Sequence, residues 1–575
     1  MRQTILIIKA FQRYLDPIRA SMKIEKIEAG FSVSGQIFPQ DIPRLAAAGF
    51  RTILCHRPDG EGTDQPTFNE LEALARQAGI EMAYLPVESG KVSDDDVRAF
   101  ASTYAGMSKP VMAYCRSGMR AVTLWALSQA PVQGLPAVLS AAKSAGYDLS
   151  GITYRLAGGN EVPAHVSHHQ VLIVGAGAAG IAVASSLLSR HPGIDIAIID
   201  PAEIHYYQPG WTMVGGGIFR PETTVRTMAS VIPAQAKWIK AAVAAFEPEH
   251  SRVLFEGCKL IAYDVLVVCP GIKLNWHGVE GLVDTLGENG VTSNYRYDLA
   301  PYTWQLVSQM RRGKAVFTQP PMPIKCAGAP QKAMYLSADH WRRAGCLHDI
   351  SIEFYNSGPV LFGVKEYVPA LMEYVKHYGA QLHFGHRLTK VDGKAKRAWF
   401  AVTDSEGGQG SLEVEFDMLH VVPPQQAPDF VRASPLVDAS GWLDVDQYTL
   451  RHRQFANVFG LGDVTNAPNA KTAAAARKQA PVVAENVLAV LSGHEMQAVY
   501  DGYGSCPLTV ERGKIVLAEF GYGGKLLPSF PRWFINGQRP SRLAWWLKER
   551  ILPPVYWKAM LKGREWLASP ARQDR

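Results

Sequence analysis

"QVLIVGAGAAG", Gln170–Gly180, decides the architecture of the larger part of this chain. Its apolar run Val171–Val174 reads as a strand buried on both faces, and the run that follows, "AAGIAVASSLLSR", reads as a helix. Gly175, Gly177 and Gly180 lie between them in the pattern G-x-G-x-x-G. The first glycine permits a tight turn, the second lets a pyrophosphate approach the backbone, and the third lets helix and strand pack closely. The helix N-terminus then meets the phosphates, where its dipole favours negative charge. The next apolar run, "DIAIID", ends in Asp200, an acid placed for a ribose hydroxyl. Strand, turn, helix, strand and acid in this order predict a dinucleotide-binding α/β unit that begins near residue 170.

The composition fits several such units. The chain has 575 residues, enough for two to four domains, with 47% hydrophobic and 19% charged residues. A formal charge of +7 without a long Lys/Arg run gives nucleic-acid binding no support and favours a mild preference for anionic surfaces. The seven cysteines are scattered and contain no C-x-x-C pair, which argues against a disulfide framework and against a zinc site, and for a reducing compartment. Residues 1–21 hold an apolar run of only "ILII" and read as an N-terminal extension, with Met22 an alternative start. Elsewhere no uncharged apolar stretch is long enough to span a bilayer, so a soluble or peripheral protein is expected.

Residues 22–156 alternate short strand-like runs ("FRTILCHR", "EMAYLPV", "PVMAYC") with helical ones, which predicts a parallel sheet covered by helices. The third run ends at Cys115 in "YCRSGMRA". A cysteine at a strand end, followed by a glycine loop and a helix, sits in a nest of backbone N–H groups, and Arg116 and Arg120 add positive charge that favours the thiolate. The spacing from Cys115 to Arg120 resembles the six-residue loop of rhodanese-type sulfurtransferases, one position shorter than the Cys-x5-Arg loop of tyrosine-type phosphatases. With the "HRPDGE" segment (56–61), the stretch resembles the phosphatase-like domain of bacterial beta-lactamase hydrolase-like proteins. Sulfur transfer is the favoured chemistry, and phosphatase activity the alternative. "AGGNEVPAHVSHH" (157–169) lacks apolar periodicity and reads as a linker.

Two later segments resemble those of the two-dinucleotide flavoproteins. "YDVLVVCPG" (263–271), ending in Gly271, matches the strand and glycine that close over FAD. "FANVFGLGDVT" (455–465) matches the second FAD motif, with Gly462 and Asp463 at the ribityl chain or pyrophosphate and Lys471 just beyond. The long helix that follows would turn its N-terminus toward the flavin. A second glycine fingerprint for NAD(P) is absent. In its place, after "GKAVFT" and before "DISIEFYN", stands "PPMPIKCAGAPQK" with Cys326.

From about residue 168 the sequence resembles the membrane-associated sulfide:quinone oxidoreductases of the mitochondrial type. The matching stretches include "HYYQPGWTMVGGG" (205–217), "PIKCAGAPQKAMYLS" (323–337), "GLGDVTNAPNAKTAAA" (460–475), "YDGYGSCPL" (500–508) and "LPPVYWKAMLKG" (552–563). The resemblance implies a tandem Rossmann-type fold over 170–527, FAD, sulfide or a low-molecular-weight persulfide as electron donor, and membrane quinone as acceptor. It makes Cys326 one redox cysteine. The family's second redox cysteine directly follows the FAD aspartate, where this chain has Val464, so Cys506 and the sulfur-carrying Cys115 are the candidates for its work. Cys258, Cys269 and Cys346 read as strand or surface thiols.

The tail, 528–575, carries Trp545, Trp546, Leu552, Val555, Tyr556, Trp557 and Met560 among Lys and Arg, with Pro553 and Pro554 breaking its helical pattern. Aromatics with cations on short amphipathic helices suit an interfacial anchor, and the expected place is the cytoplasmic face of the cell membrane. The rival reading of the same stripe is packing within the chain or in a homodimer. The remaining functional alternatives are an N-terminal phosphatase fused to an altered flavoprotein, and an NAD(P)H-driven reductase of disulfides or persulfides.

Overall fold

The computed structural model describes residues 22–62, 65–88, 92–149, 152–156, 167–255, 259–403 and 407–572. The expectations for the extension 1–21, for most of the linker 157–169 and for Cys258 fall outside these residues. The chain divides into two compact units, Met1–Pro163 and Ala164–Arg575.

The first unit is built on five strands in the order Glu25–Glu28, Phe31–Ser34, Val111–Tyr114, Thr52–Cys55, Glu81–Tyr84. The last four run parallel, as the alternating pattern predicts. The first is antiparallel to the second, because Gly30 (φ +86°) closes a tight hairpin that the apolar periodicity alone did not mark. The helices Phe68–Gln77 and Asp94–Ala105 start at capping boxes, Thr67 with Glu70 and Ser93 with Asp96. The helix Met119–Gln133 leaves the Cys115 loop and buries Val122, Leu124, Trp125 and Ala126.

The second unit contains two main sheets. The first has the order Lys237–Ile239, Ile196–Ile199, Ser167–Val174, Lys259–Val268, Arg252–Phe255, Val243–Glu247, and Val458–Gly460 pairs with Lys259–Val268. Ser167–Val174 lies parallel to both Ile196–Ile199 and Lys259–Val268, which brings the glycine fingerprint and the two later dinucleotide segments to the same strand ends. The helices Ala178–Arg190 and Ala473–Leu491 pack on each other. The second sheet, Val291–Thr292, Met418–His420, Gly313–Gln319, Ile350–Asn356, Gln381–Phe384, is parallel throughout. Its crossover from Gly313–Gln319 to the helix Ala329–Arg343 contains Cys326, at the carboxyl end of a strand where open α/β sheets bind ligands. A hairpin, Gly504–Glu511 with Lys514–Phe520, packs on that helix and carries Cys506.

The tail departs in part from the exposed stripe that its pattern suggested. It folds as a helix Arg542–Trp546, a π-turn Leu547–Ile551 and a helix Leu552–Lys558, with Pro553 and Pro554 accommodated in a first turn. Trp545, Tyr556 and Met560, expected on a membrane-facing stripe, are buried in the protein. The Tyr556 hydroxyl is 2.6 Å from His205 Nε2, and the Leu561 carbonyl accepts from the Ser185 hydroxyl at 2.9 Å. Trp546 of the same stripe is exposed, and Leu552, Val555 and Trp557 are half-buried, so the stripe serves the interior only in part; further exposed apolar surface on the tail comes from Trp533, Phe534, Leu543, Trp566 and Leu567. Cys346, expected as a strand or surface thiol, is buried as well.

Candidate active site

The dinucleotide loops show which glycines are needed and why. A Cβ on Gly180 would lie 1.8 Å from the Gly175 carbonyl oxygen, and one on Gly175 (φ +105°) would lie 2.6 Å from that of Cys269. Both are fixed by packing inside the protein. A Cβ on Gly177 or Gly271 would meet nothing within 4 Å, so these two backbones border open space. Asp200 accepts from the Ala176 amide at 2.6 Å and from the Ala202 amide at 2.8 Å, holding the glycine turn from below. The Gly462 amide donates to Gln479 at 2.8 Å. Among the described residues no donor reaches the half-buried Asp463 carboxylate, and burial raises its pKa against the pull of Lys471 and Lys325. Two open glycine faces and a carboxylate without a donor fit a dinucleotide whose hydroxyls would supply the missing hydrogen bond.

Lys471, a cofactor-binding candidate of the sequence, lies against the Asp463 loop. Its ammonium donates to the Asp463 and Thr465 carbonyls at 2.8 and 2.7 Å and lies 4.3 Å from the Trp442 ring centre. Burial pushes its pKa down to about 8. It clamps the loop that presents Asp463.

The same segment holds the thiol loop. Lys325 bridges to Lys471 in parallel, and the Cys326 amide donates to the Lys471 carbonyl at 2.8 Å. The Tyr295 hydroxyl lies 3.0 Å from the Lys325 carbonyl and 3.3 Å from that of Cys326, and the Ala329 amide donates back to Cys326 at 2.7 Å. Cys326 itself sits at φ +48°, a left-handed conformation that costs a residue with a Cβ roughly 1–2 kcal/mol. A strained backbone held by four contacts gives the thiol a fixed direction.

Around that thiol lie Cys506, which the sequence offered as a candidate, and two lysines that it did not announce. Lys332, buried in the first turn of its helix, donates to Cys326 Sγ at 3.2 Å. Cys506 Sγ is 3.9 Å from Cys326 Sγ. The hydrogen bond from Cys506 holds the Cys326 pKa well below the ordinary thiol value; burial opposes this and Lys332 reinforces it. That shared hydrogen bond and burial together push Cys506 well above the ordinary value. Lys548, from the tail, is also buried and donates to the Pro209 carbonyl at 3.0 Å; burial and then Lys332 push its pKa down to about 8. A Cβ on Gly328 would lie 2.5 Å from Cys506 Sγ, so this glycine makes room for the second sulfur. Val464, where a second redox cysteine was expected from the resemblance, is packed in the core of the first sheet. Lys332 could have been found as the one charged residue in the run "APQKAMYL". Lys548 carries no local signal.

In the N-terminal unit, Cys115 is buried at the end of Val111–Tyr114, and Arg116 is exposed. Gly118 (φ +87°) opens the helix Met119–Gln133, and a Cβ there would lie 2.1 Å from the Tyr147 hydroxyl, so Tyr147 covers the loop. Arg120 is buried and occupied: it donates to the Val87 carbonyl at 2.7 Å and to Glu61 at 2.8 Å. Arg57 donates to the same Glu61 oxygen at 2.8 Å. The hydrogen bond from Arg120 is the main reason Glu61 lies below the usual carboxylate range. The resemblance had flagged "HRPDGE", but only the fold shows that its Arg57 and Glu61 position Arg120.

A glycine fingerprint on the mixed first sheet, and a cysteine loop in place of a fingerprint on the parallel second one, define a two-dinucleotide flavoprotein. The comparisons with known proteins narrow this class. The chain is 42% identical over 398 residues to the mitochondrial sulfide:quinone oxidoreductase of Dictyostelium discoideum, covering 69% of this chain and 86% of that protein. The solved sulfide:quinone oxidoreductase of Aquifex aeolicus shares the fold, with a TM-score of 0.58 at 18% identity over 70% of this chain and 92% of that one. Residues 24–132 match the family described as beta-lactamase hydrolase-like protein, phosphatase-like domain. The beta-lactamase hydrolase-like protein of Agrobacterium fabrum is 37% identical over 109 residues, 19% of this chain and 25% of that protein. The chain belongs to the sulfide:quinone oxidoreductase family, and that membership implies a flavin cofactor.

Proposed function

We propose that this chain oxidises sulfide, or a persulfide, with FAD as the first electron acceptor and membrane quinone as the second. The observation that carries this reading is the Cys326 loop: a thiol that accepts a hydrogen bond from Lys332 and is tied by backbone hydrogen bonds to the segment that presents Asp463. Gly175, Gly177 and Gly180 would receive the pyrophosphate, Asp200 a ribose hydroxyl, Asp463 a further hydroxyl, and Gly271 and Gly462 the close approach of the ligand. Bound FAD would supply a two-electron acceptor that quinone can reoxidise. Lys332 holds the negative charge that sulfide chemistry leaves on Cys326.

The first unit, from about residue 22 to 156, acts in this reading as a sulfur carrier through Cys115. Arg120, steadied by Glu61 and the Val87 carbonyl, keeps its charge beside the Cys115 thiol, and the six-residue spacing from Cys115 to Arg120 supports sulfur transfer over phosphate-ester hydrolysis. The segment from 528 onward associates with a membrane surface, and the expected location is peripheral, on the cytoplasmic face of the cell membrane. Among the described residues no helix is long and apolar enough to cross a bilayer.

Anaerobic mixing of the flavin-loaded protein with sulfide, glutathione persulfide or NADH tests the reading. Sulfide is expected to bleach the flavin and a quinone analogue to restore it. Bleaching by NADH alone would overturn it in favour of a nicotinamide-driven reductase. Cys115→Ser is expected to leave single-turnover bleaching intact and to slow release of sulfane sulfur to a thiol; an unchanged release rate sinks the carrier role.

A further inference from the structure

We propose that a cleft on the second unit, lined by none of the residues of the thiol loops or the glycine fingerprint, binds a nucleoside phosphate. The inference goes beyond the sulfide-oxidising reading and does not depend on it.

Three pieces of chain build the cleft: the turn 446–453, the stretch that follows the long helix Ala473–Leu491, and Arg572 at the end of the tail. Its volume is about 720 Å³. Small-molecule sites typically hold roughly 300–1,000 Å³. The strand Ala571–Arg572 pairs antiparallel with Ala498–Val499, so backbone hydrogen bonds set the position of Arg572.

Charge selects the class of ligand. Arg451, Arg453 and Arg572 line the cleft against a single carboxylate, Asp446. One oxygen of Asp446 is already engaged, accepting from the Tyr448 and Thr449 amides at 3.1 and 2.8 Å and from the Thr449 hydroxyl at 2.9 Å. Arg453 pairs with Asp444 at 3.2 Å and Arg572 with Glu485 at 2.6 Å. Each pair steadies a guanidinium and leaves it further N–H groups for a ligand. Arg451 is half-buried, and among the described residues its guanidinium has neither an ion pair nor a hydrogen-bond partner. A partly desolvated cation without a counter-ion is costly, and an anion in the cleft removes that cost. Arginine forks match phosphate oxygens in bidentate fashion, which favours phosphate among anions.

The remaining wall suits a base. Tyr448 is 49% exposed and meets Tyr522 edge-to-face, with 5.8 Å between ring centres, and Met496 and Val499 add apolar surface. Aromatic rings stack on any base, because every base has a π-face. An inorganic phosphate leaves this wall in water; a nucleoside phosphate covers it and the arginines together.

Isothermal titration calorimetry of the full-length, flavin-loaded protein with ADP, inorganic pyrophosphate and adenosine tests the assignment; bound flavin keeps ADP out of the fingerprint site. ADP is expected to bind, and pyrophosphate and adenosine each to bind at least about 5-fold more weakly. Arg451→Glu is expected to weaken ADP binding roughly 10-fold or more. Arg572→Ala truncates a side chain 63% exposed, so it serves if Arg451→Glu does not fold, and its expected effect is a loss in the same direction. Tyr448→Ala is expected to weaken ADP and leave pyrophosphate unchanged. No binding of ADP by the wild type, pyrophosphate bound as tightly as ADP, or ADP bound undiminished by the folded arginine variants each overturns the proposal. Loss of ADP binding in Arg116→Ala overturns it as well, by placing the anion at the Cys115 loop.

Discussion

In the proposed reading the chemistry turns on the pairing of Cys326 with Lys332. An opposite charge at this distance favours the thiolate. Lys332→Met is therefore expected to raise the Cys326 pKa. Only the thiolate reacts with iodoacetamide, so a lowered pKa keeps Cys326 reactive as pH falls toward about 7. In Lys332→Met the reactivity at that pH should fall roughly 10-fold or more and recover as pH rises through the ordinary thiol range. A pH profile identical to wild type would show that the lysine does not set the thiolate. Cys326 was legible in the sequence because prolines and glycines surround it where a fingerprint should be. Its neighbours Cys506 and Lys548 were not legible as a group, since nothing local records that a hairpin and a tail helix converge on one loop.

At the level of loops and strands, two glycines of one motif should fail in different ways. Gly180→Ala places a methyl 1.8 Å from the Gly175 carbonyl oxygen, so the helix must move off its strand. Overpacking of this kind costs typically about 1–3 kcal/mol, and the variant is expected to lose both thermal stability and flavin. Gly177→Ala meets no protein atom within 4 Å and should leave the apoprotein's Tm unchanged while weakening flavin retention. Scanning fluorimetry of the apoproteins, with flavin content measured after gel filtration, separates the two; equal loss of Tm would refute the distinction. The fingerprint was readable because backbone geometry dictates its glycines. The hairpin closed at Gly30 was not, since two short apolar runs can pair in either direction and only the turn decides.

For the whole molecule, the tail shows what an apolar stripe can and cannot tell. Its composition marked it for burial but not the medium that buries it, because lipid and protein interior select the same residues. The structure buries Trp545 and exposes Leu543 and Trp546. Leu543→Glu with Trp546→Glu is expected to abolish sedimentation with anionic vesicles while leaving Tm and sulfide-driven bleaching near wild type. Trp545→Ala should instead cost about 3–5 kcal/mol of stability, read as a lowered Tm. Vesicle binding that survives the double substitution would move the anchor to another surface.

His205 reaches the Ala176 carbonyl, inside the glycine turn, with one ring nitrogen at 3.3 Å, and the Tyr556 hydroxyl with the other at 2.6 Å. Burial pushes its pKa down to about 4, so the ring stays neutral and one nitrogen accepts where the other donates. The nucleotide turn and the tail are thus two ends of one relay of hydrogen bonds. An evolving lineage could not exchange this tail, nor could an engineer trim it, without loosening the turn that carries the glycine fingerprint. The C-terminal segment and the nucleotide loop are inherited together.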